Sequence, residues 1–452
     1  MRIIVAAFFL CIAVVAQAQS TLPLVKVSAN KRFFQTADGK PFFWLGDTGW
    51  LLFGKLNKSD VLLYLNARQQ QGFNVIQAMV LHEMTVTNKT YGDALLNKNA
   101  ATPLVKDGPD NDYWDNVDFV ITEAAKRGIY MALVPVWGSN VKGGHVSVEQ
   151  AKAYGKFLGE RYKKYSNIIW LNGGDVHGTD ILAVWEALGT SIKKYDAQHI
   201  MTYHPRGRYS STEWFHNASW LDFNMFQSGH RTYAQDTSKN DKNHYGEDNW
   251  KYVNYDYALT PTKPTLDGEP SYENIPHGLH DSLQPRWQAA DLRRYGYWSV
   301  FAGGAGFTYG ENAVMQFHTK GDKDANYGVT HNWKQTIQAP GANQMKFLKQ
   351  LLLSKSYFDR VPAQEIIADN NQTQYNYIVA TKGKAYAMAY TYTGRNFDID
   401  FSKLGFKPKK AFWFRPENGK QTKLKLPAKK GVVTFNPPGE PANGNDWVLV
   451  LE

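Results

Sequence analysis

One rhythm, repeated from residue 42 to residue 353, most narrows what this chain can fold into. A short apolar run gives way to an amphipathic stretch, often ended by glycine, and another apolar run follows. The first run is Phe42–Asp47. The stretch 58–72 carries apolar residues at helical spacing, with Ser59 at its opening and Gly72 at its end. "FNVIQAMVL" (73–81), "IYMALVPVWG" (129–138), "NIIWLNGGD" (167–175) and "HIMTYHP" (199–205) are further strand runs, as are 220–230, 263–269 and 304–310. Helices are predicted at 112–128, 147–165, 180–195, 248–258, 285–299 and 342–353. The strand runs are rich in apolar and β-branched residues, as parallel strands buried beneath helices must be. This alternation predicts an α/β fold, a (β/α)8 TIM barrel with long loops. A doubly wound open sheet is the alternative, but no Gly-rich phosphate turn follows the first strand.

Both ends depart from the rhythm. Asp38-Gly39 between apolar runs is a hairpin signal ahead of the barrel. After residue 354 the period changes to two. Runs at 375–394, 411–426 and 446–452 alternate apolar with polar residues and are joined by Lys-Gly, Gly-Arg and Asn-Gly turns. They predict a small all-β sandwich over 355–452, with Trp413 and Trp447 in its core. Residues 1–18, with Arg2, an apolar run and Ala16-Gln17-Ala18, have the form of a secretory signal peptide. The mature chain is then 19–452, with the barrel over 19–354. The single cysteine, Cys11, falls in the leader, so disulfides, a thiol nucleophile and a Cys-zinc site are excluded from the mature chain. Export to the periplasm or beyond is the expected destination, and no later segment is long and apolar enough to span a bilayer.

The net charge of +10 is scattered, apart from a basic region at 403–430. Without a basic stripe, an exported protein is a poor nucleic-acid binder, while a positive field suits an acidic polysaccharide. The sequence gives no indication of oligomeric state, and no cofactor or metal is predicted. Trp and Tyr are abundant, at 14 and 26 residues. Their flat faces suit sugar rings, although most such residues pack in cores.

In a barrel of this kind the chemistry lies at the C-terminal ends of the strands. Those ends supply Asp47 and Trp50, His82 and Glu83, Trp137, Asn172 and Asp175, His204 and Arg206, Gln227 and His230, Glu269 and Tyr272, and Tyr309 and Glu311. Glycosidic cleavage needs two carboxylates, one protonated and one ionised. Strands four and seven lie nearly opposite in an eight-strand ring, so Asp175 and Glu269 are the expected pair. Gly173 and Gly174 clear space before Asp175; Gly268 and Pro270 frame Glu269. Substrate-binding candidates are Asp47, Trp50, His82, Trp137, Asn172, His204, Arg206, Gln227, Tyr272 and Tyr309. Asp47 and Trp50 would grip sugar, and His204 with Arg206 would hold a uronic carboxylate. Glu83 is a reserve acid and Glu311 the chief rival to Glu269. "HEMTV" lacks the second histidine of a zinc motif.

"KPFFWLGDTGWLLF", "NVIQAMVLHE", "IIWLNGGDVHG" and "PTLDGEPSYENIP" together resemble glycoside hydrolase family 140, the apiosidase-like group. The resemblance extends over most of the chain, including a β-domain labelled collagen-binding. It implies a retaining barrel hydrolase with Asp175 as acid/base and Glu269 as nucleophile. It also implies cleavage of apiosyl linkages in the pectin rhamnogalacturonan II. One departure from the wider clan of retaining barrels is that the strand-four acid is Asp, three residues after Asn172, rather than Glu directly after Asn. The competing expectations are a glycosidase for another plant or bacterial polysaccharide, and a non-catalytic glycan- or collagen-binding protein.

Overall fold

The computed structural model describes residues 22–236, 244–368, 371–426 and 431–452. The predicted leader, with Cys11, lies outside the described residues. Eight parallel strands form the barrel: β1 (Trp44–Thr48), β2 (Val75–Leu81), β3 (Tyr130–Val136), β4 (Ile168–Val176), β5 (Met201–Pro205), β6 (Asn224–Gln227), β7 (Thr265–Asp267) and β8 (Gly306–Tyr309). Neighbours pair in order around the ring, β8 closing on β1 through Gly306↔Trp44 to Tyr309↔Asp47. The seam between β5 and β6 is drawn together by Asp222 N–H donating to Met201 O at 2.8 Å and by the Thr202 hydroxyl donating to Phe223 O. A two-residue strand, Tyr209–Ser210, adds antiparallel to β6. β1, β2, β3 and β5 are buried along their whole length, so neither face carries the polar alternation of a half-exposed sheet.

One helix after each strand is numbered with it: α1 (Lys58–Gln70), α2 (Tyr113–Ala125), α3 (Val148–Tyr162), α4 (Leu182–Tyr195), α5 (Thr212–Phe215), α6 (Asn249–Tyr257), α7 (Ala289–Phe301) and α8 (Pro340–Leu353); shorter helical turns lie at Leu52–Lys55, Gly138–Lys142, Asn312–Met315 and Trp333–Thr336. Their starts are written in short polar side chains. Asp112 accepts from Trp114 N and Asp115 N to begin α2, and Ser147 with Gln150 forms a capping box on α3. For α1 the cap is Asn57, which accepts from Asp60 N, rather than Ser59. Gly72, at φ +83°, turns the chain out of α1 toward β2 in a conformation that disfavours side chains.

Before β1, three short antiparallel strands run through Gly39. They bury Phe34 edge-on to Phe223 at 5.0 Å. From Val361 the chain forms a six-stranded antiparallel sheet, faced by a two-stranded one (Phe397–Asp400 with Val432–Phe435). Trp413 and Trp447 are buried in a core of their own there. The other face of this domain packs on α6 and α7. Tyr390 stacks on Tyr297 at 4.8 Å and Tyr377 on Trp250 at 4.1 Å. Arg293 of α7 makes a two-pronged ion pair with Asp446, both bonds 2.8 Å. No helix of the described residues is long and apolar enough to cross a membrane.

Candidate active site

A cleft of about 320 Å³ opens at the C-terminal ends of the barrel strands. Asp175 and Glu269 both line it, with Trp50, Trp137, Arg206, Gln227 and Tyr272. Loops after β7 and β8 add Leu279, His280 and Tyr327.

Asp175 owes its position to a bulge. The β4–β5 register runs His204↔Gly173 and then Pro205↔Val176, so Gly174 and Asp175 are pushed out of the ladder. Gly173, Gly174 and Asp175 all have positive φ, at 91°, 128° and 54°. Side chains at the first two would also collide. A Cβ on Gly173 would lie 2.6 Å from His204 O, and one on Gly174 2.6 Å from the Trp137 ring and 2.8 Å from Gly138 N. The two glycines are therefore needed for both conformation and space. Asp175 presents its carboxyl to the cleft, where Gly207 N–H donates to Oδ1 at 3.3 Å. It is nevertheless ringed by protein. That desolvation first, and the negative charge of Glu269 second, raise its pKa to about 6.

Glu269 follows β7. Gly268 passes so close to Met225 of β6 that any Cβ would strike the thioether, and its carbonyl accepts from Gln77 Nε2 at 2.7 Å. Two residues before Glu269, buried Asp267 is fixed by Ser228 Oγ at 2.6 Å and Asn249 Nδ2 at 3.0 Å. The Glu269 carboxylate is held between two imidazoles. His230 Nε2 stands 3.1 Å from Oε1 and His204 Nε2 3.2 Å from Oε2. Burial pushes this carboxyl up, but hydrogen bonding and charge from His204 and His230 outweigh it and hold the pKa down at about 2. Trp50 donates to the Tyr272 hydroxyl at 3.1 Å, and the Trp50 and Trp137 rings flank His204 at 5.3 and 5.9 Å.

Several residues expected at the rim lie elsewhere. Asp47 is fully buried and turned toward α1, where Arg68 Nε pairs with it at 2.6 Å and the Tyr64 hydroxyl donates to it. Asn172 is spent on Trp185 O, and the Tyr309 hydroxyl donates to Glu273 at 2.6 Å, so neither faces sugar. His82 stands outside the cleft beside the exposed Glu83, at 3.5 Å. His204 is fully buried against Glu269 rather than joined to Arg206 in a carboxylate grip. Glu311 is a helix cap, accepting from Ala313 N and Val314 N at 2.9 Å each. His230, seen in the sequence at the end of strand six but given no role there, is the partner that reasoning missed. Among the described residues no group of three His, Cys, Asp or Glu is disposed to hold a metal ion.

Residues 28–359 match the family model described as "Apiosidase-like, catalytic domain". This chain belongs to the apiosidase-like family of glycoside hydrolases. Residues 361–452 of the apiosidase-like enzyme match "Putative collagen-binding domain of a collagenase". A solved structure described as a glycoside hydrolase is 45% identical, with TM-score 0.91 over 95% of this chain and 96% of its own. A glycoside hydrolase family 5 protein from Bacteroides vulgatus is 42% identical, with TM-score 0.91 over 95% of this chain and 93% of that one. An endo-1,4-beta-D-mannanase from Thermotoga petrophila resembles the enzyme in fold alone. It is 14% identical, with TM-score 0.50 over 69% of this chain and 100% of its own. Comparison with curated proteins returned no match.

Proposed function

We infer that this enzyme is a secreted, retaining glycosidase that cleaves apiosyl linkages of the pectin rhamnogalacturonan II, with Asp175 as acid/base and Glu269 as nucleophile. The observation that carries this reading is the opposite tuning of two carboxylates in one cleft, about 6 for Asp175 and about 2 for Glu269. Near pH 5 one holds a proton and the other a charge. In the first step Asp175 gives its proton to the glycosidic oxygen while a Glu269 oxygen attacks the anomeric carbon. The bond to the leaving group breaks, and its electron pair stays on the protonated oxygen. Glu269 is now an ester without charge, which removes one cause of the raised Asp175 pKa. Asp175 is thereby left more acidic, suited to exist as the base that takes a proton from water. That water attacks the same carbon and frees Glu269.

The apiosyl part of the reading is supported by the family match over residues 28–359. An acidic backbone is supported by Arg206 and Arg231, exposed cations that line the cleft with no ion-pair partner among the described residues. Secretion is supported by the leader pattern of residues 1–18.

Incubation with rhamnogalacturonan II fragments tests substrate and stereochemistry together. The expected result is release of an apiose-ended oligosaccharide whose anomeric configuration, followed by NMR before mutarotation, is retained. Initial inversion would replace the double displacement with direct attack by water; no release would discard the apiosyl linkage. The pH dependence follows from the two shifts. Asp175 works protonated, so kcat/KM falls as pH rises through about 6. Glu269 works ionised, so the acid limb falls only near about 2. A profile centred above pH 7 would contradict this assignment of acid and nucleophile.

A further inference from the structure

We propose that the lysine-rich edge of the C-terminal domain is a second carbohydrate site, one that binds an anionic polysaccharide of the polyuronate class. Residues 403–426 hold eight Lys and Arg against the single acid Glu417, so this short stretch carries +7 of the chain's net +10. Lys403, Lys407, Lys409, Lys410, Lys420, Lys423 and Lys425 are all exposed. Lys403 lies 3.8 Å from Asp400, and Arg415 pairs with Glu417 at 2.9 Å. The other six lysines have no carboxylate partner among the described residues.

The fold aligns them. Strand Gln421–Leu424 is the edge of the six-stranded sheet and pairs on one side only, with Ala411–Phe414. Lys423 lies opposite Phe412, and Lys355, two residues beyond α8, stands 5.6 Å over the Phe412 ring. The pair Ala411↔Leu424 is the last of the ladder. Lys425 follows directly after Leu424, the last residue of this edge strand. Lys423 and Lys425 flank Leu424 at the end of this edge, and both are exposed. The backbone N–H groups of Lys409 and Lys410 are tied to Glu452 O, which fixes where their side chains begin.

One structural explanation falls short. Lysines on an edge strand deter pairing with another sheet, which accounts for Lys420, Lys423 and Lys425. It does not account for Lys407, Lys409 and Lys410, which precede the inner strand. A polymer with a carboxylate on each sugar would supply counter-charges to these lysines along the edge. The catalytic domain belongs to a glycan-cleaving family, and a polyuronate is the glycan whose charge complements this surface. The proposal does not depend on which linkage the barrel cuts.

The test uses the full chain carrying Glu269→Gln, so that nothing is consumed, and compares it with the same protein carrying Lys409→Ala, Lys410→Ala, Lys423→Ala and Lys425→Ala as well. Binding is measured to polygalacturonate, to its methyl-esterified form and to vesicles rich in phosphatidylserine, at two salt concentrations. Polygalacturonate is expected to bind in low salt, weakening as salt rises. The lysine variant should bind at least about tenfold more weakly and with a shallower salt dependence. The esterified polymer, with the same backbone and its charge removed, should bind poorly to both. Equal binding by the two proteins, equal binding of the esterified form, or preference for the vesicles would each overturn the proposal. The four lysine-to-alanine substitutions in an otherwise wild-type chain should leave turnover of a short oligosaccharide unchanged. An enzyme inactive on apiosyl substrates that still shows the lysine-dependent binding would separate failure of the substrate reading from failure of this one.

Discussion

Exchange of Glu269 for Gln is expected to lower kcat by at least about 10⁴-fold while the protein stays folded. Glutamine keeps the shape and can still meet His204 and His230, but it has no charge with which to attack an anomeric carbon. Asp175→Asn should fail differently. Its loss removes proton donation, an effect of about 10²–10⁴-fold on a poor leaving group. On an aryl glycoside whose phenolate leaves unaided, the first step should survive and the ester on Glu269 should accumulate, seen as a burst of phenolate and as a mass adduct. Added azide should then speed turnover of Asp175→Asn and give a glycosyl azide of retained configuration. With a smaller nucleophile-site variant, Glu269→Ala, azide should give the inverted product. Identical behaviour of the two variants with azide would show that they do not divide the roles of acid and nucleophile. The Glu269→Gln variant also reports on the coupling between them. With one source of negative charge gone, Asp175 should titrate lower than in the wild type by carbon NMR, because that charge is among the causes of its raised pKa.

The barrel was legible because its strands are apolar on both faces and its helices begin and end in residues with a local conformational reason. That Asp175 and Glu269 would face one cleft was legible for a related reason. Gly173, Gly174 and Gly268 mark places where the backbone leaves no room for a side chain, and such places at strand ends set off the polar residue that follows. Asp47, Asn172 and Tyr309 carry no comparable mark. A polar residue at a strand end reads the same whether it faces the cleft or the surrounding helices. What turns Asp47 away is Arg68, which lies 21 residues on, in α1, and reaches it only once the helix has packed. His230 was invisible in this sense too. Its approach to Glu269 depends on how the segments after β6 and β7 lie together, and nothing within either segment states that. The basic stretch 403–430 was visible as composition. The placement of its described part, 403–426, along an exposed edge required the antiparallel register.

Glu247→Gln is expected to destabilise the enzyme by about 3–5 kcal/mol, read from urea unfolding. Glu247 and Arg294 are almost wholly buried, and Arg294 Nη2 meets Glu247 Oε2 at 2.6 Å. The guanidinium is enclosed by the rings of Tyr295, Trp298, Tyr375 and Tyr392 at 4.7, 4.9, 4.8 and 5.2 Å. Tyr375 and Tyr392 belong to the C-terminal domain, and the Tyr375 hydroxyl donates to both Glu247 oxygens at 3.2 Å. The pair therefore sits where the two domains meet. Glutamine keeps the volume of Glu247 but leaves Arg294 charged, desolvated and without its counter-charge. Replacing both partners by apolar residues, as in Glu247→Leu with Arg294→Met, should recover most of the loss, because a buried pair's attraction largely offsets its own desolvation. Recovery in the double variant would identify the stranded charge, rather than lost packing, as the cause. The adjacent residue links this interface to the catalytic end of the barrel. Ser271, two residues after Glu269, donates to Gly229 O at 2.9 Å and shares a hydrogen bond of 3.1 Å with the Tyr295 hydroxyl, and Asn249 joins Tyr295 O to Asp267. If α7 only supports the barrel, folded Glu247→Gln should keep its kcat, with the damage confined to the unfolding midpoint. A fall in kcat well below that midpoint would mean that the C-terminal domain, through Arg294 and Tyr295, also sets the aim of Glu269.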